Sequence, residues 1–261
     1  MTDPVVSPDL YDETYYTAVC GGHEEWTASG GQQGAPIYSV TLQRAGFEPG
    51  MVLVDVGTGR GEMLAVAAEL GASRAVGVEY APAGALLAAT TVTTRGVGDR
   101  AHVLQADARA LPLPDRCADM VTMLDVIEHL SPTELCAALA EVHRVLKPGG
   151  LLVGHTFPTS TIYDVTYRAL RRIWPGASRS WPSDPRVEYE HLMHVNEQTV
   201  RGLRTSVTRA GFAEAKVELG KWVYTDFVPS QRARGVYRAL ARWRPTRPLA
   251  VANIWVHARR H

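Results

Sequence analysis

The run Val52-Leu53-Val54-Asp55-Val56-Gly57-Thr58-Gly59-Arg60-Gly61 constrains this chain more than any other segment, because an apolar strand collapses into three alternate glycines and a helix-forming stretch begins at once. Glycine lets the backbone turn sharply and approach a ligand closely, and the start of a helix offers free N–H groups. A Gly-x-Gly-x-Gly triplet alone is an ordinary strand-to-helix turn, so its meaning comes from the residues downstream of it. Residues Glu62 to Leu70 are helix-forming and stop at Gly71. A second strand, Arg74 to Val78, closes on Glu79. An acid about 20 residues beyond such a loop sits where a parallel βαβ unit offers a carboxylate to both ribose hydroxyls of a nucleotide.

Pro82 opens the next helix, as proline does at a first helical position. A third strand, His102 to Ala106, runs into Asp107-Ala108, and a fourth, Ala118 to Leu124, runs into Asp125. Three carboxylates therefore end successive predicted strands. Ligands in open α/β sheets bind outside the carboxyl ends of strands, so Glu79, Asp107 and Asp125 are expected to converge on one crevice.

With these residues in hand, the chain resembles the class I S-adenosylmethionine-dependent methyltransferases over roughly residues 50–215. Four motifs carry the resemblance: Asp55 to Gly61, Glu79, Asp107-Ala108, and Asp125-Val126-Ile127-Glu128-His129, followed by the Leu146-Lys147-Pro148-Gly149-Gly150 turn. It implies an α/β, three-layer αβα, Rossmann-like, seven-stranded and mostly parallel sheet whose last strand is antiparallel. It also implies S-adenosyl-L-methionine as cofactor: Gly57 and Gly59 on its methionine part, Glu79 on the ribose, Asp107 on the adenine amine, Ala108 beside the ring and Tyr80 over it, with Asp55, Thr58 and Asp125 completing the set.

Composition is that of a globular chain, 46% hydrophobic and 21% charged over 261 residues. Three cysteines, Cys20, Cys117 and Cys136, show no metal-ligand spacing and fit a reducing interior. No basic-then-apolar leader and no apolar run near 18 residues is visible, so the expectation is a soluble cytoplasmic protein, monomer or homodimer. Scarce lysine (Lys147, Lys216 and Lys221) against abundant Ala and Arg suggests a GC-rich coding genome, such as an actinobacterial one.

The predicted organisation is an N-terminal cap segment, 1–48, and a methyltransferase domain, 49–261, with insertions at about 156–190 and 229–247. The first segment is rich in Tyr, Gly and acids and reads either as a lid or as a surface arm. The first insertion holds an amphipathic stretch from Tyr163 to Trp174 and would wall the substrate pocket. Asn196 is the expected N-cap of the helix that Gly211 stops, and residues 213–224 and 250–258 read as the last two strands. The second insertion is a basic amphipathic helix from about Ser230 to Arg244, read as a packing helix in preference to a membrane-surface contact.

Methyl transfer is an in-line displacement at an already activated carbon, so it needs alignment and, for a hydroxyl nucleophile, a base. His129, one helical turn past Asp125, is the first candidate and His194 the second; His155 and His191 lie near the predicted rim. Asp125, Glu128 and His129 offer a divalent cation only two oxygen ligands, and the expectation is no metal. The expected reaction is methylation of a hydroxyl on a small molecule (natural product, sugar or lipid headgroup), with N- or C-methylation as the alternative. A NAD(P)-dependent Rossmann oxidoreductase and a non-catalytic cofactor-binding protein are the rivals from other classes. The absence of core positive charge and of an Asn/Asp-Pro-Pro-aromatic segment argues against a nucleic-acid substrate.

Overall fold

The computed structural model describes residues 3–225 and 228–261, so the first two residues of the N-terminal segment lie outside the description. Seven strands form one sheet: β1 (Val52–Val56), β2 (Arg74–Glu79), β3 (Ala101–Gln105), β4 (Ala118–Leu124), β5 (Leu146–Thr156), β6 (Glu214–Leu219) and β7 (Ile254–Arg259). Their spatial order is β3-β2-β1-β4-β5-β7-β6. The first five pair in parallel, and β7 runs antiparallel to both β5 and β6. The strand order reverses between β1 and β4, the switch point at which such sheets open a crevice.

Ten α-helices accompany the sheet among the described residues. α1 (His23–Ser29) and α2 (Ile37–Arg44) precede it, and α3 (Glu62–Glu69), α4 (Pro82–Thr94) and α5 (Pro132–Val145) connect its parallel strands. α6 (Arg168–Ile173), α7 (Ala177–Ser180) and α8 (Glu188–Met193) follow β5, α9 (Val200–Arg209) precedes β6, and α10 (Gln231–Arg242) lies between β6 and β7. α5 starts where local chemistry dictates: Pro132 opens it, the Ser131 hydroxyl accepts the Glu134 amide, and the Glu134 carboxylate accepts the Ser131 amide.

The central strands are apolar runs because both faces are covered. Val54, Val56, Val121 and Leu152 pack with α5 residues Leu135, Leu139 and Val142 on one side. Leu53, Met120 and Val153 pack with α3 residues Met63, Leu64 and Ala67 on the other. A separate cluster joins Tyr163, Tyr167, Leu170 and Trp181 to Tyr237 of α10.

Two expectations need correction. Thr199, not Asn196, caps α9: its hydroxyl accepts the Gly202 amide at 3.0 Å. Asn196 is withheld because its side chain donates to the Leu130 carbonyl at 2.9 Å and its amide donates to the Glu128 carbonyl. β6 stops at Leu219, short of 224, where Gly220 packs against Asn253.

Candidate active site

A cavity of about 600 Å³ opens at the carboxyl ends of the strands. The glycine loop forms its floor. The Gly57 and Thr58 amides both donate to the Val78 carbonyl, stitching the loop to β2. A side chain at Gly57 would bring its Cβ within 2.3 Å of Val126 Cγ2, and φ is +73° there, so only glycine fits. Asp55 lies beneath, buried, accepting the Thr122 hydroxyl at 2.6 Å; burial raises its carboxyl to about 6.

Glu79 ends β2 and is buried. Its carboxylate accepts the Gly59 amide at 2.9 Å and the Ala81 amide at 3.0 Å, yet burial still pushes its pKa up. Asp107, after β3, is gripped through both oxygens by Arg109; burial raises its carboxyl, but the guanidinium outweighs that and holds it below the usual range. Asp55, Gly57, Thr58, Gly59, Glu79, Tyr80, Asp107, Ala108 and Asp125, the expected cofactor residues, all line this one cavity. Bare backbone at the loop and carboxylates at successive strand ends are the donor and acceptor set that an adenosine with a charged amino-acid tail requires.

The other end of the cavity, where β4 and β5 stop and β7 begins, has a different character. His129 and His194 both line it, their rings 4.9 Å apart. Burial lowers the His129 pKa to about 3 and that of His194 to about 4, so both are neutral near pH 7. His129 lies in a short helical turn after β4, with Nδ1 2.9 Å from the Tyr11 hydroxyl. His194 arrives from the segment after α8, and its Nδ1 is buried with no hydrogen-bond partner among the described residues. Glu128, buried, has its ligating oxygen within 4.8 Å of ring nitrogens of both histidines, a group with the composition of a metal site. Asp125 is turned away from that group, toward His155. His191 remains exposed.

Several contacts escaped sequence reasoning. Arg60, buried, donates to the carbonyls of Tyr16 and Gly21 as well as to Glu62, tying the N-terminal segment to the glycine loop. Tyr80, expected over the adenine, donates its hydroxyl to the Val6 carbonyl at 2.7 Å while still lining the cavity. Phe157, Trp222, Tyr224 and Trp255 wall the far end, and Asn253 lies among them. The position of Arg60 inside the glycine motif was a usable signal; Asn253 and the aromatic wall carried none.

Among the described residues no helix is long and apolar enough to cross a membrane. Residues 54–154 match the methyltransferase-domain family model. A ubiquinone/menaquinone biosynthesis C-methyltransferase of Shewanella frigidimarina is 29% identical over 188 residues, covering 67% of this chain and 71% of the relative. A demethylmenaquinone methyltransferase of Thermus thermophilus is 36% identical over 107 residues, covering 41% of this chain and 47% of the relative. Among solved structures, an S-adenosylmethionine-dependent methyltransferase from Archaeoglobus fulgidus superposes with a TM-score of 0.55 at 18% identity, covering 86% of this chain and 93% of that one. A [4+2]-cyclase superposes with a TM-score of 0.61 at 18% identity, covering 100% and 97%; at that identity the likeness speaks for the fold alone. With its glycine loop, its strand-end carboxylates and a methyltransferase-domain match over residues 54–154, this chain is similar to the class I S-adenosylmethionine-dependent methyltransferases.

Proposed function

We propose that the protein transfers a methyl group from S-adenosylmethionine to a small molecule held between the β4–β5–β7 strand ends and the segment 156–195. One observation carries the reading: a single cavity joins the glycine loop and the carboxylates of Glu79 and Asp107 to an aromatic far wall. Glu79 would take the ribose hydroxyls and Asp107 the adenine amine, with Gly57, Thr58 and Gly59 presenting backbone to the methionine part, Ala108 and Tyr80 beside the adenine, and Asp55 supporting the loop from below. When bound, the cofactor supplies an electrophilic methyl on a sulfonium. The protein then contributes alignment, exclusion of water and a place for one proton.

Relatives named as C-methyltransferases favour a carbon acceptor over the hydroxyl expected from sequence. Methylation of oxygen is the second reading, supported by His194, whose unpartnered and neutral Nδ1 has the properties of a general base. His129 is the weaker base, since its Nδ1 is already paired with Tyr11.

The N-terminal segment is proposed as a cap over the cofactor. The Val5 amide donates to Glu134, Tyr80 reaches Val6, Tyr11 meets His129, and Trp26 donates to Thr91 at 2.7 Å.

Calorimetry with S-adenosylhomocysteine tests the reading. Binding that falls about 10- to 100-fold in Glu79→Gln is expected. Uptake of NAD in place of either sulfur nucleotide overturns it, and binding without turnover on any quinol, phenol or amine acceptor would favour a non-catalytic protein.

A further inference from the structure

β1, β2 and β3 supply the cofactor end of the cavity, and the opposite end holds a chain of three side chains from β4, β5 and the approach to β7. Asp125 follows β4 with φ of +54°, a backbone that non-glycine residues rarely adopt. Its Oδ1 lies 2.6 Å from His155 Nδ1, and His155 Nε2 lies 2.9 Å from Asn253 Nδ2. The Asn253 amide is oriented by the Trp222 amide, which donates to its Oδ1, so Nδ2 faces the imidazole as a donor. His155 Nε2 must therefore accept, which places the ring proton on Nδ1, pointing at Asp125. Both imidazole nitrogens are thereby used.

The group left with free capacity is Asp125. Its side chain is 59% exposed although it lines the cavity, whereas His155 and Asn253 are buried. Oδ2 has no hydrogen-bond partner among the described residues. Desolvation inside the cavity raises the Asp125 carboxyl, and the hydrogen-bonded His155 outweighs it and holds the carboxyl below its ordinary range. The adjoining wall is aromatic: Phe157 lies 4.4 Å from Trp222 at a tilt of 32° and meets Tyr224 edge-on at 5.1 Å, and Trp255 lies 4.5 Å from the His155 ring. Such a wall accepts a planar ring, and the carboxylate accepts an O–H on it.

We infer that Asp125 grips and deprotonates the methyl acceptor, an aromatic hydroxyl compound stacked among Phe157, Trp222, Tyr224 and Trp255, and that His155 and Asn253 are positioning residues that aim its carboxylate. This rests on the proposed methyltransferase activity, and it moves Asp125 from the cofactor set to the acceptor. The acceptor's O–H bond breaks, its proton passes to Asp125 Oδ2 and the electron pair stays on the oxygen, enriching it and the adjacent ring carbons. One of these atoms bonds the methyl group while the methyl–sulfur bond breaks with its pair kept by sulfur. If carbon reacts, that carbon then releases its own proton to water and the ring oxygen recovers the proton held by Asp125. If oxygen reacts, Asp125 passes the proton to water.

The test titrates full-length protein loaded with S-adenosylhomocysteine, using 4-nitrophenol, nitrobenzene and benzylamine as probes. In the unsubstituted protein 4-nitrophenol should bind as the neutral phenol at least tenfold more tightly than nitrobenzene. Asp125→Asn should weaken that binding at least tenfold, with nitrobenzene and S-adenosylhomocysteine affinities within threefold. Asp125→Gly, which suits the left-handed backbone, gives the same result if Asn perturbs folding. His155→Gln should lose about tenfold in 4-nitrophenol affinity and keep nitrobenzene. The inference is overturned if 4-nitrophenol fails to bind or binds all variants alike, if benzylamine binds more tightly, or if Asp125→Asn loses S-adenosylhomocysteine in proportion. No nucleotide binding by the unsubstituted protein instead removes the methyltransferase reading on which the inference stands.

Discussion

Tyr11 and His129, 118 residues apart in sequence, meet with the phenolic oxygen 2.9 Å from the imidazole Nδ1. This bond ties the N-terminal segment to the cavity wall at the first candidate base, as the proposed cap requires. Burial is the main reason the Tyr11 hydroxyl is held well above its ordinary pKa, so it stays protonated and able to donate. Tyr11→Phe should lower stability by about 1 kcal/mol in urea unfolding and speed S-adenosylhomocysteine release several-fold in stopped-flow measurements. Unchanged release would mean that the segment is not a lid.

Gly57→Ala sets a methyl group 2.3 Å from Val126 Cγ2 on a backbone with φ of +73°. Either the loop or the Val126 turn must shift, and both line the cavity. The expected outcome is at least a tenfold loss of S-adenosylhomocysteine affinity by calorimetry, with a loss of roughly 1–3 kcal/mol in stability. Wild-type affinity in the variant would refute the placement of Gly57 against the cofactor.

Burial depresses His129 to about 3 and His194 to about 4, both below the ordinary value for histidine. The unfolded chain therefore binds protons that the folded one refuses, and the two residues make stability fall as pH drops below about 6.5. Asp55, raised by burial to about 6, acts in the opposite sense between about pH 4 and 6. The histidine contribution is isolated by comparison with His129→Gln and His194→Gln variants. Each substitution should flatten the fall by up to about 1.4 kcal/mol per pH unit near pH 5, measured by urea unfolding from pH 7 to 5. Parallel curves for variant and parent would contradict the neutral-histidine assignment.

Glu128, His129 and His194 have the composition of a cation site, but Glu128 already accepts the Thr156 hydroxyl at 2.8 Å and the Phe157 amide at 3.4 Å, while Tyr11 takes His129 Nδ1. Those bonds would have to yield before a metal was held. Turnover is expected to be insensitive to prolonged EDTA dialysis. A tenfold drop restored by zinc or manganese would reverse this conclusion.

The glycine loop, Glu79, Asp107, Asp125 and the strands that carry them were legible in the sequence because each is decided locally. An apolar run, a turn residue and a carboxylate succeed one another within a few positions, and the parallel βαβ repeat then brings successive strand ends to one edge. The antiparallel β7, by contrast, was known from family resemblance, since nothing in its own residues states which neighbours it pairs with.

The acceptor end was not legible, because it is assembled from contacts that span large sequence separations. His155 and Asn253 lie 98 residues apart, and Asp125 and His155 lie 30 apart. The sequence offered His129, one turn past Asp125, as the first candidate base and Asp125 as a cofactor residue, whereas the fold pairs Asp125 with His155 and His129 with Tyr11. By itself, then, the sequence determined the parallel strands, the glycine loop and which strand ends bear acids, since periodicity and turn chemistry act over short stretches. Only the tertiary structure decided which side chains share the far wall of the cavity and where each proton sits. Those choices depend on burial and on partners that spacing along the chain does not encode.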